Sequence, residues 1–332
     1  MFKFLKEMLV CPECHGELIW EITDENDIHI IEAKIKCHDC NKIYAVKNGV
    51  GCFVEYVKSS DDGWQNEENW LNNLLAENPD IREKLMTTDI EEMNAADIMV
   101  RAKICRKEGN VAEADRLGKF WFKKAYKNEQ IEAIFGQIDY IVNLLKDEKN
   151  IILDVASGEG GIVQKFLENT DTRIVSSDIS FHVMEKAKES AEEKGYGDRV
   201  SYIAFDLNKT PFRDKSINIM TSLFGLQSVV SPVRIFEEIR RICDGKLYSA
   251  CVFCCDENSK NVKLLEESGE DSMIIKDKYI EEFDKVGFTS IVKNSIITFN
   301  EPTPVGEIAK GVIIDGFPVE ADDFEYAVVI SG

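Results

Sequence analysis

Histidine is scarce in this 332-residue chain: there are four. No apolar run approaches the roughly 18 to 20 residues that a bilayer-crossing helix needs, so no membrane span is expected. The opening MFKFLKEMLVCPEC holds neither a long uncharged apolar region nor a small-residue cleavage site, so a secretory leader is not read there. A cytoplasmic protein is the expectation. Positive charge is short as well, since 40 Lys and Arg face 61 Asp and Glu and leave a formal net charge of −21. Nucleic-acid affinity rests on neutralising phosphates, so such a chain is repelled unless its basic residues gather in one place. They gather once. Between Arg101 and Lys127 nine Lys and Arg stand against three Asp and Glu, interleaved with Phe120, Trp121, Phe122 and Tyr126. Three readings remain for this stretch: a solvated or domain-docking helical face, an RNA-contacting face, or a lid over a substrate.

What is present describes an ordinary globular protein, 44% apolar and 30% charged, long enough for two or three units. Ten cysteines in a chain expected to be cytosolic argue for metal or free thiols rather than disulfides. Four of them form two knuckles, Cys11-Pro-Glu-Cys14 and Cys37-His-Asp-Cys40, separated by 22 residues. Each knuckle turns two thiolates toward one point, and two knuckles on facing hairpins complete a closed tetrahedral sulfur site for a structural Zn²⁺. A longer hairpin loop around Asp24 to Asp27 absorbs the extra spacing. Four thiolates saturate the metal, so His15 and His38 are read as turn residues or as partners of the ligands.

The stretches FLKEMLVCPECHGEL and IKCHDCNKIYAVKNGV, with Tyr44 and Gly49, resemble the small zinc-ribbon family of methyltransferase-activating proteins. A related ribbon also begins the ribosomal large-subunit guanine methyltransferases. The resemblance covers about residues 4 to 54 and implies a zinc-ribbon domain over residues 1–58.

Residues 59–149 read as a helical linker or lid. SSDDG at 59–63 is a polar linker, Asn78-Pro79-Asp80 breaks one helix and starts another, Thr88-Asp89 is positioned to cap the next, and Gly109-Asn110 makes a further break. Apolar residues at 131, 134, 135, 138, 141, 142 and 145 keep a helical period and should pack on a following sheet.

Residues 150–332 alternate strand and helix. Strands are expected at 151–155, 173–177, 200–205, 217–223 and 246–254, and helices at 161–168, 181–194, 232–243 and 276–286. Ser231-Pro232 reads as a cap with proline at the first helical position, and Gly287 as a C-terminal stop. The alternation predicts a doubly wound, Rossmann-like α/β sheet, and the last 45 residues predict an antiparallel edge hairpin.

The stretch LDVASGEGGIV, residues 153 to 163, carries strand into glycine-dense turn into helix. No Gly-Lys-Ser/Thr follows, which disfavours a triphosphate, and the glycines do not keep the dinucleotide spacing. They fit Asp-x-(Gly/Ala)-x-Gly-x-Gly, read at Asp154, Ala156, Gly158 and Gly160. Small residues there let backbone pass close to a bulky ligand, and an acid at the strand end can anchor an ammonium group, which S-adenosylmethionine carries and NAD does not. Asp178 ends the second strand where it could accept both ribose hydroxyls, and Asp206 ends the third where it would meet the adenine amino group. The fourth strand closes on small and polar residues beside the crevice.

This segment resembles the class I S-adenosylmethionine-dependent methyltransferases, and in particular the type 11 branch that holds the ubiquinone and menaquinone methyltransferases. PFRDKSINIM and RIFEEIRRICDGKLY are similar to the branch's stretches before the fourth and fifth strands. The resemblance implies a seven-stranded methyltransferase sheet and a cofactor site of Asp154, Ala156, Ser157, Gly158, Gly160, Asp178, Ile179, Asp206, Leu207 and Ser222. Departures are Ala156 for the first glycine, Asn218 for an aspartate, and Gly225-Leu226-Gln227 where a His pair is common, so no catalytic base is assigned. An Asn-Pro-Pro-Tyr motif is absent from the chain. The expected function is methyl transfer to an unidentified acceptor, with a small molecule favoured by the acidic composition. The alternatives are an rRNA or tRNA methyltransferase that positions RNA with the ribbon and the basic helices, and a regulatory protein that only retains the cofactor site. His182 reads as a helix N-terminal residue near the cofactor, and Cys251, Cys254 and Cys255 as packing residues or soft ligands for an acceptor.

Overall fold

The computed structural model describes residues 1–54, 63–228, 232–268 and 273–332. The polar linker read at 59–63 falls, apart from Gly63, outside the described residues, as does Ser231. A short 3₁₀ turn, Lys3–Met8, leads into β1 (Leu18–Glu25), β2 (Ile30–Cys37), β3 (Ile43–Lys47) and β4 (Val50–Cys52), each antiparallel to the next. The β1–β2 turn lies at the loop expected to take up the long knuckle spacing, and Asn26 Oδ1 closes it by accepting from the N–H groups of Ile28 and His29.

Helices follow: α1 (Gly63–Glu77), α2 (Pro79–Thr87), α3 (Ala95–Lys107), α4 (Val111–Ala125) and α5 (Asn128–Leu145). Pro79 opens α2 at a position whose N–H has no helical partner, and Asn110 caps α4 by accepting from Glu113 N–H. The cap expected at Thr88-Asp89 is corrected. Thr88 ends α2, Asp89 Oδ1 holds a turn through Glu91 N–H, and Asn94 is the residue whose side chain caps α3. An Asx side chain serves an isolated turn as readily as a helix start, so both sites read alike in sequence.

The remainder is β5 (Ile152–Asp154), α6 (Gly161–Asn169), β6 (Ile174–Asp178), α7 (Phe181–Glu193), β7 (Val200–Ala204), β8 (Ile217–Leu223), α8 (Pro232–Ile242), β9 (Cys243–Cys254), α9 (Lys260–Ser268), α10 (Lys276–Lys285), β10 (Ser290–Asn300) and β11 (Asp322–Ser331). The strand and helix expectations fall on these elements within a few residues; α9 was not anticipated. Every residue of β5 and β7 is buried, as a parallel sheet covered on both faces requires. β7, β6, β5, β8 and β9 run parallel, and β11 and β10 close the edge antiparallel, as the C-terminal pattern predicted.

The expectation of a seven-stranded sheet is corrected. The sheet has eleven strands in the order β1-β2-β3-β4-β7-β6-β5-β8-β9-β11-β10. Seven come from residues 152–331, and the four N-terminal strands extend them because β4 pairs in parallel with β7, Val50 opposite Tyr202 and Cys52 opposite Ala204. Phe53 N–H continues the ladder to the Ala204 carbonyl at 2.9 Å. β7 would otherwise present a bare edge of unpaired backbone, and pairing satisfies it. One apolar cluster spans the seam, with Phe2, Leu5, Ile30, Ile35 and Phe53 on one side and Leu153, Val175, Ile203 and Phe205 on the other.

The helix α5 packs on β10, β11 and α6 through Ala133, Ile138, Ile141, Val142 and Leu145. Its expected apolar member Phe135 is instead 46% exposed. The helices α1 to α4 have their own apolar cluster, built around Leu85, Ile98, Val100 and Leu117, and it includes Ala309 and Val312 of the β10–β11 connection.

Candidate functional site

The carboxyl ends of β5, β6 and β7 lie side by side, and Asp154, Asp178 and Asp206 stand at or just beyond them. Asp154 is fully buried. Its Oδ1 accepts from Thr221 Oγ1 at 2.6 Å, while Oδ2 has no hydrogen-bond partner among the described residues. Burial first, with the nearby charge of Asp178 adding to it, pushes this carboxyl up to about 7 against the Thr221 hydroxyl, which pulls it down. A buried carboxylate oxygen left without a donor is costly, so its presence at a sheet edge points to a cationic or donor group that completes it.

The turn after β5 is shaped by alternating left-handed residues: φ is +51° at Ala156, +52° at Gly158 and +81° at Gly160. That is why small residues occupy these places. Asp178 holds the turn from the neighbouring strand. Its Oδ2 accepts from Gly158 N–H at 3.0 Å and its Oδ1 from Ser180 N–H at 3.1 Å. Ser157 adds two bonds, donating from Oγ to the Asp154 carbonyl and accepting on Oγ from Ser177 N–H. The loop after β8 closes from the other side: a Cβ on Gly225 would lie 2.3 Å from the Ala156 carbonyl oxygen.

The other expected site residues are placed as follows. Ile179, directly after Asp178, is 50% exposed, a large apolar side chain left bare. Asp206 Oδ1 accepts from both the backbone and side-chain N–H groups of Asn208, and Leu207 is buried. Ser222 is buried and its Oγ accepts from Leu226 N–H at 3.3 Å, so it stabilises the turn after β8. His182 is the second residue of α7, as expected.

Sequence reasoning missed Thr221, the donor to Asp154, and the role of Gly225, whose missing side chain lets two loops touch. Thr221 faces Asp154 across the β5–β8 ladder, a neighbour that one strand's pattern does not reveal. Gln227, noted for standing where a His pair is common, bonds Val252 at both carbonyl and N–H and Met273 at its carbonyl. It stitches backbone. Cys251 is fully buried, its thiol pushed up to about 12 by burial, and so is inert packing; Cys254 is buried too, while Cys255 is exposed.

Lysines and arginines of the basic stretch find partners on the helices and on the β10–β11 connection. Arg106 meets Asp115, Arg116 meets Glu113 and Lys127 meets Glu301; Arg101 donates to the Thr88 carbonyl and Lys124 to those of Glu91 and Met93. Burial lowers the pKa of the Lys103 ammonium on α3, and the charge of Glu159 opposes that shift.

The sulfurs of Cys11, Cys14, Cys37 and Cys40 all lie within 4.8 Å of one another. Thiolates on a tetrahedral zinc at about 2.3 Å stand about 3.8 Å apart, so the four fit that ion without rearrangement of the chain. Tyr44 Oη lies 3.4 Å from Cys11 Sγ and orients it.

Residues 153–248 match the family described as a methyltransferase domain, and residues 3–49 the family described as Trm112p-like protein. The chain carries a methyltransferase domain. All the candidate cofactor residues, from Asp154 to Ser222, fall inside the matched stretch. Curated relatives include proteins named ubiquinone/menaquinone biosynthesis C-methyltransferase UbiE. That of Hahella chejuensis is 27% identical over 93 residues, covering 27% of this chain and 37% of the relative. That of Shewanella frigidimarina is 29% identical over 100 residues, covering 29% and 40%. The match therefore spans well under half of these relatives. Among solved structures, geranyl diphosphate C-methyltransferase from Streptomyces coelicolor is 14% identical with a TM-score of 0.43, covering 59% of this chain and 74% of that one. Among the described residues no helix is long and apolar enough to cross a membrane.

Proposed function

We propose that this chain is an S-adenosylmethionine-dependent methyltransferase acting on a small molecule, with a structural zinc in its N-terminal ribbon. The observation that carries the reading is the orphaned Oδ2 of Asp154 at the edge where three adjacent strands end in acids. In this reading Asp154 pairs with the cosubstrate's ammonium, Asp178 faces the ribose, Asp206 faces the adenine amino group, and Ile179 packs on the base. The curated relatives' printed names, which describe C-methyltransferases of quinone biosynthesis, support a small-molecule acceptor.

S-adenosylmethionine supplies an electrophilic methyl whose departure leaves a neutral thioether. The chain's own work is to hold the turn rigid through Asp178 and Ser157, to exclude water, and to align an acceptor with the methyl–sulfur axis. The acceptor needs a base only where it must lose a proton. Internal pairing of the basic stretch supports the structural reading of that face over RNA contact.

The test is calorimetry with S-adenosylhomocysteine on wild type and Asp154→Asn, with thermal unfolding of both to separate binding from folding. Binding to wild type and a loss of at least about 1.5 kcal/mol in the variant are expected for a hydrogen-bonded charge. Equal affinities would remove this assignment. Turnover of S-adenosylmethionine with any acceptor would exclude a purely regulatory role.

A further inference from the structure

Asp154 and Thr221 stand opposite each other in the parallel ladder of β5 and β8, 67 residues apart along the chain. The register around them is held by backbone: Leu153 faces Met220, and Val155 N–H donates to the Thr221 carbonyl at 2.9 Å. Both side chains are fully buried. Thr221 Oγ1 reaches Asp154 Oδ1 at 2.6 Å, the short distance of a hydroxyl bound to an ionised carboxylate. A β-branched side chain has few χ1 choices, so the hydroxyl stays where the strand puts it. The second oxygen, Oδ2, keeps no partner among the described residues.

Neighbouring hydroxyls are spent elsewhere. Ser157 Oγ and Ser177 Oγ both donate to the Asp154 backbone carbonyl, at 3.0 and 2.8 Å, and Ser222 Oγ serves Leu226 N–H. The charge that bears on Asp154 is that of Asp178 at the end of β6, whose carboxylate is engaged by the Gly158 and Ser180 N–H groups. Strand β8 carries no charged residue, and Glu159 of the glycine turn is exposed. Lys165 of α6 pairs with Asp139 of α5, and His182 of α7 bears on Glu185. Burial and Asp178 both favour the neutral acid, so the Thr221 hydroxyl is what holds the ionised form within reach of neutral pH.

We propose that Thr221 is a positioning residue of the cosubstrate site: its hydroxyl fixes Oδ1 of Asp154, reserves Oδ2 for the ligand's ammonium, and sets the pH above which that ammonium is held. The proposal rests on the S-adenosylmethionine reading of the site. A hydroxyl suits the task because it donates to the carboxylate and, turned about, accepts from the acid, so Asp154 is paired in both states. A lysine at this place would neutralise the carboxylate and compete with the ligand, and an aliphatic side chain would leave both oxygens bare.

The test is calorimetry with S-adenosylhomocysteine between about pH 5.5 and about pH 8.5 on wild type, Thr221→Val, Thr221→Ser and Asp154→Asn, with thermal unfolding of each to check folding. Wild-type affinity should climb about tenfold per pH unit and level off above about 7. Thr221→Val should move that break up by about one unit, binding about fivefold more weakly than wild type at about pH 7 and within about twofold of it at about pH 8.5. Thr221→Ser keeps the hydroxyl and should restore the wild-type profile, whereas Asp154→Asn should be weak and flat. The ligand's own ammonium titrates alike in every sample and cancels in the comparison. A break that Thr221→Val leaves unmoved, or an equal loss at every pH, would overturn the proposal, since either describes a residue that only packs. Failure of wild type to bind at any pH, or an Asp154→Asn affinity equal to wild type at the alkaline end, is a different result and would overturn the cosubstrate site itself.

Discussion

Asp154 ties its protonation to the ligand it awaits. Its carboxyl titrates near 7 in the fold, because burial and the Asp178 charge favour the neutral form, against about 3.9 in an unfolded chain. A group raised on folding contributes stability at low pH that is lost as pH rises, here between about 4 and about 7. Relative to Asp154→Asn, the ligand-free wild type should lose stability across that window with a slope of at most about 1.4 kcal/mol per pH unit, and run parallel to the variant above it. Denaturant melts at a series of pH values measure the difference. Binding of an ammonium-bearing ligand requires the ionised form, so wild-type affinity should rise as pH passes 7. Two positions on, Ala156 holds φ +51°. Left-handed backbone costs a non-glycine residue about 1 to 2 kcal/mol, and glycine's extra freedom when unfolded returns about 0.4 to 1. Ala156→Gly should therefore stabilise by up to about 1.6 kcal/mol, read as a raised melting temperature. The three acids and the small turn residues were legible in sequence because each sits at a strand-to-helix junction. Their partners were not, since Thr221 reaches Asp154 across 67 residues.

Pinning of elements decides how the helical unit sits on the sheet. Asp97, in the first turn of α3 and 1% exposed, accepts from the N–H groups of Glu307, Ile308 and Ala309. One carboxylate thus ties a helix to the connection between β10 and β11. Asp97→Ala strands three donors and should cost on the order of 3 kcal/mol in denaturant unfolding, with Asp97→Asn between it and wild type. Gly225→Ala would drive a methyl into the Ala156 backbone carbonyl, so it should lower the melting temperature and weaken S-adenosylhomocysteine binding more than tenfold. An effect on neither would mean that the two loops do not bear on each other. Helix periodicity and proline breaks made most of these elements readable; α9 escaped because its few apolar residues, Val262, Leu264 and Leu265, lie in a short polar stretch.

At the scale of the whole molecule the ribbon and the larger unit share one sheet and one apolar cluster. The ribbon also braces the segment after Asp206: Arg213 pairs with Glu17, Lys209 with Glu13, and Val10 N–H donates to the Pro211 carbonyl. Removing metal from the four cysteines should therefore weaken more than the ribbon. Chelation, or Cys37→Ser, should lower the melting temperature of the α/β unit as read by S-adenosylhomocysteine-sensitive unfolding, and the untreated protein should unfold in one transition. Two independent transitions, or an α/β unit indifferent to chelation, would contradict that coupling.

By itself the sequence determined the alternation of strand and helix, the four-thiolate cluster and the acids at three strand ends, because each is written in local spacing. Only the tertiary structure decided that β4 completes the edge of β7, that Asp154 keeps one oxygen unpaired among the described residues, and that Gln130, Asn300 and Tyr326 meet. Those facts depend on backbone edges and side chains up to some 200 residues apart, and no local pattern records which distant surface will satisfy a given hydrogen bond.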